Sequence, residues 1–146
     1  MDRTRPADGE RIIVGVDGSE ASKRALRWAL EEAEARHATV KAVTAWQLPD
    51  DARGMVPHRE SFADSESAAR QALDDTVRDV TSAMGLDAPE INVREGHPAE
   101  VLVSEAREAD LVVVGNRGHG RFAETLLGSV GQRVIEHAAC PVVVTH

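Results

Sequence analysis

Five short apolar runs alternate with four stretches that repeat apolar residues at helical spacing. Residues 11–17, RIIVGVD, are almost continuously apolar, the pattern of a strand covered on both faces in a parallel sheet. From Glu20 to Arg36, Ser22, Ala25, Leu26, Ala29, Leu30 and Ala33 recur as the buried stripe of a helix. Ser19 is placed to cap that helix, and Trp28 sits at the edge of the stripe as a packing residue. Residues 39–46, TVKAVTAW, alternate in part and predict a second strand. A second helix is predicted over about 65–84, with Ala69, Leu73, Thr76, Val77 and Val80 on its apolar line and Gly85 as its C-terminal cap. Residues 89–94 form a short third strand. Gly96, His97 and Pro98 then open a third helix, with Pro98 in a favourable first-turn position, running to about residue 108. Residues 110–115 form the fourth strand. A fourth helix from Ser129 to His137 buries Val130, Val134 and Ile135, and residues 140–145, CPVVVT, form the last strand, with Pro141 among its first residues.

Strand and helix thus alternate throughout, with helix-length crossovers, which predicts an α/β fold: an open five-stranded parallel sheet with helices on both faces. No internal repeat is visible, so residues 11–146 are expected to form a single domain behind a mobile tail over 1–10. Residues 47–64 are polar, contain Pro49, Gly54 and Pro57, and show no apolar period; they read equally as a flap over the end of the sheet or as a surface loop.

The net charge is −8, which argues against nucleic acid and against an anionic membrane surface as partners. No apolar run approaches the roughly 20 residues of a membrane-spanning helix. The first residues, MDRTRPADGER, lack the apolar core of a secretory signal. Cys140 is the single cysteine, which leaves no partner for an intramolecular disulfide and no cysteine-based metal site. The expected location is cytoplasmic. A nucleotide approaching so acidic a chain would be repelled at long range, so any nucleotide site must rest on local amides, a cation or a metal.

The candidate chemistry lies where the fourth strand ends, in residues 115–130, GNRGHGRFAETLLGSV. Glycines at 115, 118 and 120 permit a tight turn and close approach of backbone to ligand. Inward-pointing N–H groups in such a loop form an anion-binding hollow, and Gly128 and Ser129 stand at the start of a helix, where free N–H groups favour phosphate. A glycine-rich turn with no ligand would look similar locally. The chain has no Gly-Lys-Ser/Thr phosphate loop and no nucleophile elbow, and its six histidines show no ligand spacing; His97 and His119 read as helix-start and loop residues.

The spacing Gly115, two residues, Gly118, nine residues, Gly128-Ser129 resembles the nucleotide-binding signature of the universal stress protein family, in its ATP-binding branch. The opening I-V-G-V-D-G-S, the G-H-P-A-E turn and the closing C-P-V-V-V extend the resemblance across almost the whole chain. The resemblance implies a Rossmann-like sheet of order 3-2-1-4-5, whose switch point would bring Asp17 and Gly115 together. It implies ATP as ligand, with Mg2+ bridging Asp17 and the phosphates; the other role open to Asp17 is a helix cap. It further implies that Gly15 and Val16 line base and sugar, that Ala45 touches adenine, and that Gly115, Arg117, Gly118, His119 and Gly120 wrap ribose and phosphates, with Asn116 and Arg121 in the same binding stretch; Arg117 and Arg121 add charge-assisted bonds or read equally as solvated loop arginines. Gly128, Ser129 and Val130 would hold the terminal phosphates. Asn116 departs from the serine common at its position. The implied function is a nucleotide-dependent regulatory, stress-response module with little or no hydrolysis. Alternatives of the same fold are a nucleotide-independent interaction protein, a cyclic AMP binder and a slow ATPase. A homodimer through the last strand, Pro141 to Thr145, is the expected assembly, since an apolar edge strand is a template for pairing.

Overall fold

A computed structural model describes residues 9–47, 59–117 and 127–146. The elements are β1 (Arg11–Gly15), α1 (Glu20–Arg36), β2 (Thr39–Trp46), α2 (Arg59–Met84), β3 (Glu90–Glu95), α3 (Pro98–Ala106), β4 (Leu111–Gly115), α4 (Ser129–His137) and β5 (Val142–Thr145). All strand pairings are parallel and the order is β3-β2-β1-β4-β5, the order implied by the family resemblance.

Alternation along β1 explains its continuous apolar sequence. Ile12 and Val14 face a core shared with Leu26, Leu30, Leu73, Val77 and Val80 from α1 and α2. Ile13 faces the other core, with Val43, Leu102, Val112 and Val134, under α3 and α4. Each helix therefore has a sheet face to cover, and the strand between them has no polar side. The predicted α1 stripe is buried in full, and Trp28 packs partly buried at its edge. Among the described residues, no helix is long and apolar enough to cross a membrane.

Several boundaries differ from the sequence pattern. α2 begins at Arg59, inside the 47–64 segment that reads as a flap or a surface loop, and residues 48–58 of that segment lie outside the described residues. The stretch 59–64 contains no glycine or proline to stop a helix, so α2 extends there without an apolar period to announce it. Of the tail predicted over 1–10, residues 1–8 lie outside the described residues, and the Glu10 carbonyl accepts the Thr39 N–H at 2.9 Å. α2 ends as expected at Gly85, which adopts φ +67 and donates its N–H to the Ser82 carbonyl. In α4 the expectation for Ile135 fails: it is 48% exposed, whereas Gly131 and Val134 are buried. The nine-residue helix meets the sheet through a narrow stripe at the β4–β5 side, and Ile135 lies one residue off it.

Candidate functional site

β1 and β4 are neighbours whose following helices leave on opposite faces of the sheet, so a crevice opens beyond their carboxyl ends. A cavity of about 300 Å³ fills it. Its walls come from six segments. The end of β1 supplies Gly15, Val16 and Asp17; β2 supplies Val43, Thr44 and Ala45; α3 supplies Pro98, Val101 and Leu102; the end of β4 supplies Val114, Gly115 and Arg117; the start of α4 supplies Gly128 to Gly131. Ser22 of α1 completes the wall behind Asp17.

The β1–α1 turn is held by its own hydrogen bonds. Gly18 takes φ +84, a conformation that side-chain-bearing residues rarely adopt, and so turns the chain sharply after Asp17. Asp17 Oδ1 accepts the Ser19 N–H at 2.9 Å and the Ser19 hydroxyl at 2.5 Å. The helix cap is Ser19, whose Oγ accepts the Ser22 N–H at 3.1 Å. Asp17 is therefore not the cap; it stands outside the first turn, exposed at the rim of the cavity.

The α4 end is built differently. Gly128 is the cap residue, with φ −74 and ψ 166, and brings no side chain to the first-turn amides. Its N–H donates to the Asn116 carbonyl at 2.8 Å, which fastens the start of α4 to the end of β4. Gln132 N–H begins the helical ladder on the Gly128 carbonyl at 3.0 Å. The positive end of the α4 dipole thus opens at the cavity, with the exposed Ser129 beside it.

Nine of the residues implied by the family resemblance line this one cavity: Gly15, Val16, Asp17, Ala45, Gly115, Arg117, Gly128, Ser129 and Val130. Asn116 does not. It is 7% exposed, its N–H donates to the Thr145 carbonyl at 3.0 Å, and its side-chain Oδ1 has no hydrogen-bond partner among the described residues. Gly118, His119, Gly120 and Arg121 lie outside the described residues. His97 caps α3, its Nδ1 accepting the Ala99 N–H at 3.2 Å, in keeping with a helix-start role. The sequence reading missed the α3 wall. Val101 and Leu102 carry the pattern of ordinary core residues and are indeed buried, and only their position beside β2 makes them part of the cavity.

A model of the universal stress protein family matches residues 9–146. The chain belongs to the universal stress protein family. Two family members from Mycobacterium tuberculosis are 36% and 34% identical to it, each over 91% of this chain but only 44% and 47% of their own length. The chain thus spans about half the length of the curated relatives it matches. Among solved structures, a universal stress protein from Lactobacillus plantarum covers 97% of the chain with a TM-score of 0.72 at 22% identity, a likeness of fold. A universal stress protein in complex with cAMP is 31% identical, with a TM-score of 0.64, over 96% of this chain and 98% of that one. One from Archaeoglobus fulgidus in complex with dAMP is 26% identical, with a TM-score of 0.55, over 94% of this chain and 98% of that one.

Proposed function

We propose that the chain is an ATP-binding module of its family, holding the nucleotide with Mg2+ and acting as a regulatory unit with little or no hydrolysis. The observation that carries this reading is the convergence of Asp17, Gly115 and the open N-terminus of α4 on one cavity at the switch point. The α3–β2 end of that cavity is apolar, with Val43, Ala45, Val101 and Leu102, and suits a flat base. The α4 end offers amides and the Ser129 hydroxyl, and suits phosphate oxygens. The relatives solved with cAMP and dAMP bind adenine nucleotides, which supports the same ligand class here.

Magnesium fits the donor set. Among the described residues no group of three His, Cys, Asp or Glu is placed to hold a metal, and Asp17 is the one carboxylate among those lining the cavity. A cation there would take a single protein ligand and draw the rest from phosphates and water, which is the usual habit of Mg2+. Little or no hydrolysis is part of the same proposal, with Asp17 engaged on the cation rather than serving as a general base. Residues 118–121 would complete the enclosure of the phosphates. In the same reading the protein is cytoplasmic and dimerises through β5.

The test is to purify the protein without added nucleotide, denature it and identify the released small molecule by mass spectrometry. ATP from the wild type, lost from a variant carrying Asp17→Asn and Ser129→Ala, is the expected result. Cyclic AMP in its place would keep the site and change the ligand, a reading favoured by the 31%-identical relative. An empty protein that also ignores Mg2+–ATP on titration would favour a nucleotide-independent interaction protein.

A further inference from the structure

Ser22 interrupts the buried stripe of α1. Its neighbours there are Ala21, Ala25, Leu26, Ala29, Leu30 and Ala33, and it is the one hydroxyl in the set. It is 4% exposed. Alanine would fill such a position and favours helix by a few tenths of a kcal/mol over serine, on the order of 0.5. The hydroxyl therefore calls for an explanation outside the helix.

Helix capping does not supply one. Ser19 caps the helix, and the Ser19 carbonyl already accepts the Lys23 N–H at 3.0 Å. The donation from Ser22 Oγ to that same carbonyl, at 3.0 Å, duplicates a bond the helix has. The acceptance is what stands apart: Ser22 Oγ takes the backbone N–H of Asp17 at 3.3 Å, five residues back, across the β1–α1 turn. Asp17 Oδ1 in turn holds Ser19 by its N–H and its hydroxyl, and Ser19 Oγ returns to the Ser22 N–H. The loop of bonds closes on itself, and Ser22 lines the cavity alongside Asp17.

We propose that Ser22 is the positioning residue for Asp17: its buried hydroxyl fixes the Asp17 backbone, and through it the carboxylate, in the place where a nucleotide-borne Mg2+ would be met. The inference rests on the ATP–Mg2+ reading of the cavity. It assigns Ser22 no contact with the ligand. Groups bonded directly to a metal ligand typically govern metal affinity by about 10–100-fold; Ser22 holds the backbone of the ligand residue, one step further back, and its effect is expected at the low end of that range.

The experiment is isothermal titration of ATP into wild type, Ser22→Ala and Asp17→Asn, and into the double variant, each with Mg2+ and again with EDTA. Thermal melting is run on every protein. Ser22→Ala is expected to weaken ATP binding about tenfold with Mg2+ and to leave binding in EDTA unchanged. It is expected to add nothing in the Asp17→Asn background, because the group it positions is gone. Ser22→Cys, similar in volume but a weak acceptor, should follow Ser22→Ala, and Ser22→Thr, which keeps the hydroxyl, should recover Mg2+-dependent binding. A purely structural role would lower the melting temperature and weaken binding equally with and without the metal, in both backgrounds, and that result overturns the proposal. So does wild-type binding that is indifferent to Mg2+. A wild type that binds no nucleotide at all overturns the reading beneath the proposal instead, and the two failures are told apart by the wild-type titration alone.

Discussion

Gly115 lies against the backbone of Ala21. A Cβ at residue 115 would stand 2.8 Å from both the carbonyl carbon and the carbonyl oxygen of Ala21. β4 and the first turn of α1 are thus in direct backbone contact. Neither partner can yield without moving α1. Gly115→Ala is therefore expected to destabilise the fold by about 1–3 kcal/mol, the usual cost of overpacking a rigid core. Urea denaturation checks it, with a fall in midpoint at unchanged slope. No loss would mean that the helix start is softer than the contact implies.

Gly15 gives the contrasting case. A Cβ there meets Leu102 Cδ1 at 2.9 Å, the far end of a flexible side chain rather than a backbone. Leu102 can give way, at about the 0.5–1.5 kcal/mol of an off-rotamer side chain. Both Gly15 and Leu102 line the cavity, so the displaced side chain would crowd the base end. Gly15→Ala should cost little stability and several-fold in nucleotide affinity, read by denaturation and titration of the same preparation. A large stability loss with intact affinity would reverse the assignment.

These two glycines also mark a limit of the sequence. The glycine-rich pattern over 115–120 suggested backbone approaching a ligand; at Gly115, which lines the cavity, an added Cβ would also meet protein, at Ala21, as one at Gly15 would meet Leu102. A sequence says that a Cβ is missing and not what would have met it. Other features were legible for physical reasons. The continuous run in β1 announced burial on both faces, and the α1 stripe announced one face, because strand and helix periods differ. Strand order is not encoded in any period; it came from the family resemblance and is the order observed. Two oxygens, on Asp17 and Ser19, competed for one cap, and only the turn at Gly18 decides that Ser19 takes it. Ile135 was expected inside because valine and isoleucine sit together in α4, but a short helix over the sheet margin has room for one stripe.

Glu105 of α3 is 8% exposed and collects its partners from two strands. Lys41 Nζ lies 3.3 Å from Oε2, and Asn92 Nδ2 donates to Oε1 at 2.7 Å, with Arg94 Nη1 3.5 Å from the same oxygen. The Lys41 and Arg94 side chains keep 27% and 39% of their exposure, so water can take over much of their solvation once the carboxylate is gone. Glu105→Ala should cost about 1–3 kcal/mol, below the 3–5 of a wholly buried pair. Glu105→Gln, which keeps an acceptor for Asn92, should cost less. Equal losses for the two variants, measured by urea denaturation, would show that charge rather than hydrogen bonding carries the contact.

The edge of β5 allows the proposed dimer to be tested without disturbing the sheet. Val112 N–H donates to the Pro141 carbonyl and Asn116 N–H to the Thr145 carbonyl, so residues 141, 143 and 145 turn their backbone groups toward β4. By alternation, Val142 and Val144 turn theirs outward, where a second copy would pair. Proline at 144 removes an outward donor and is tolerated at an edge; proline at 143 removes a donor to β4. Val144→Pro is expected to give a monomer by light scattering with a melting temperature close to the wild type. Val143→Pro is expected to melt lower, because the damage falls on the β4–β5 ladder. If Val144→Pro remains fully dimeric, the subunits meet through some surface other than the β5 edge.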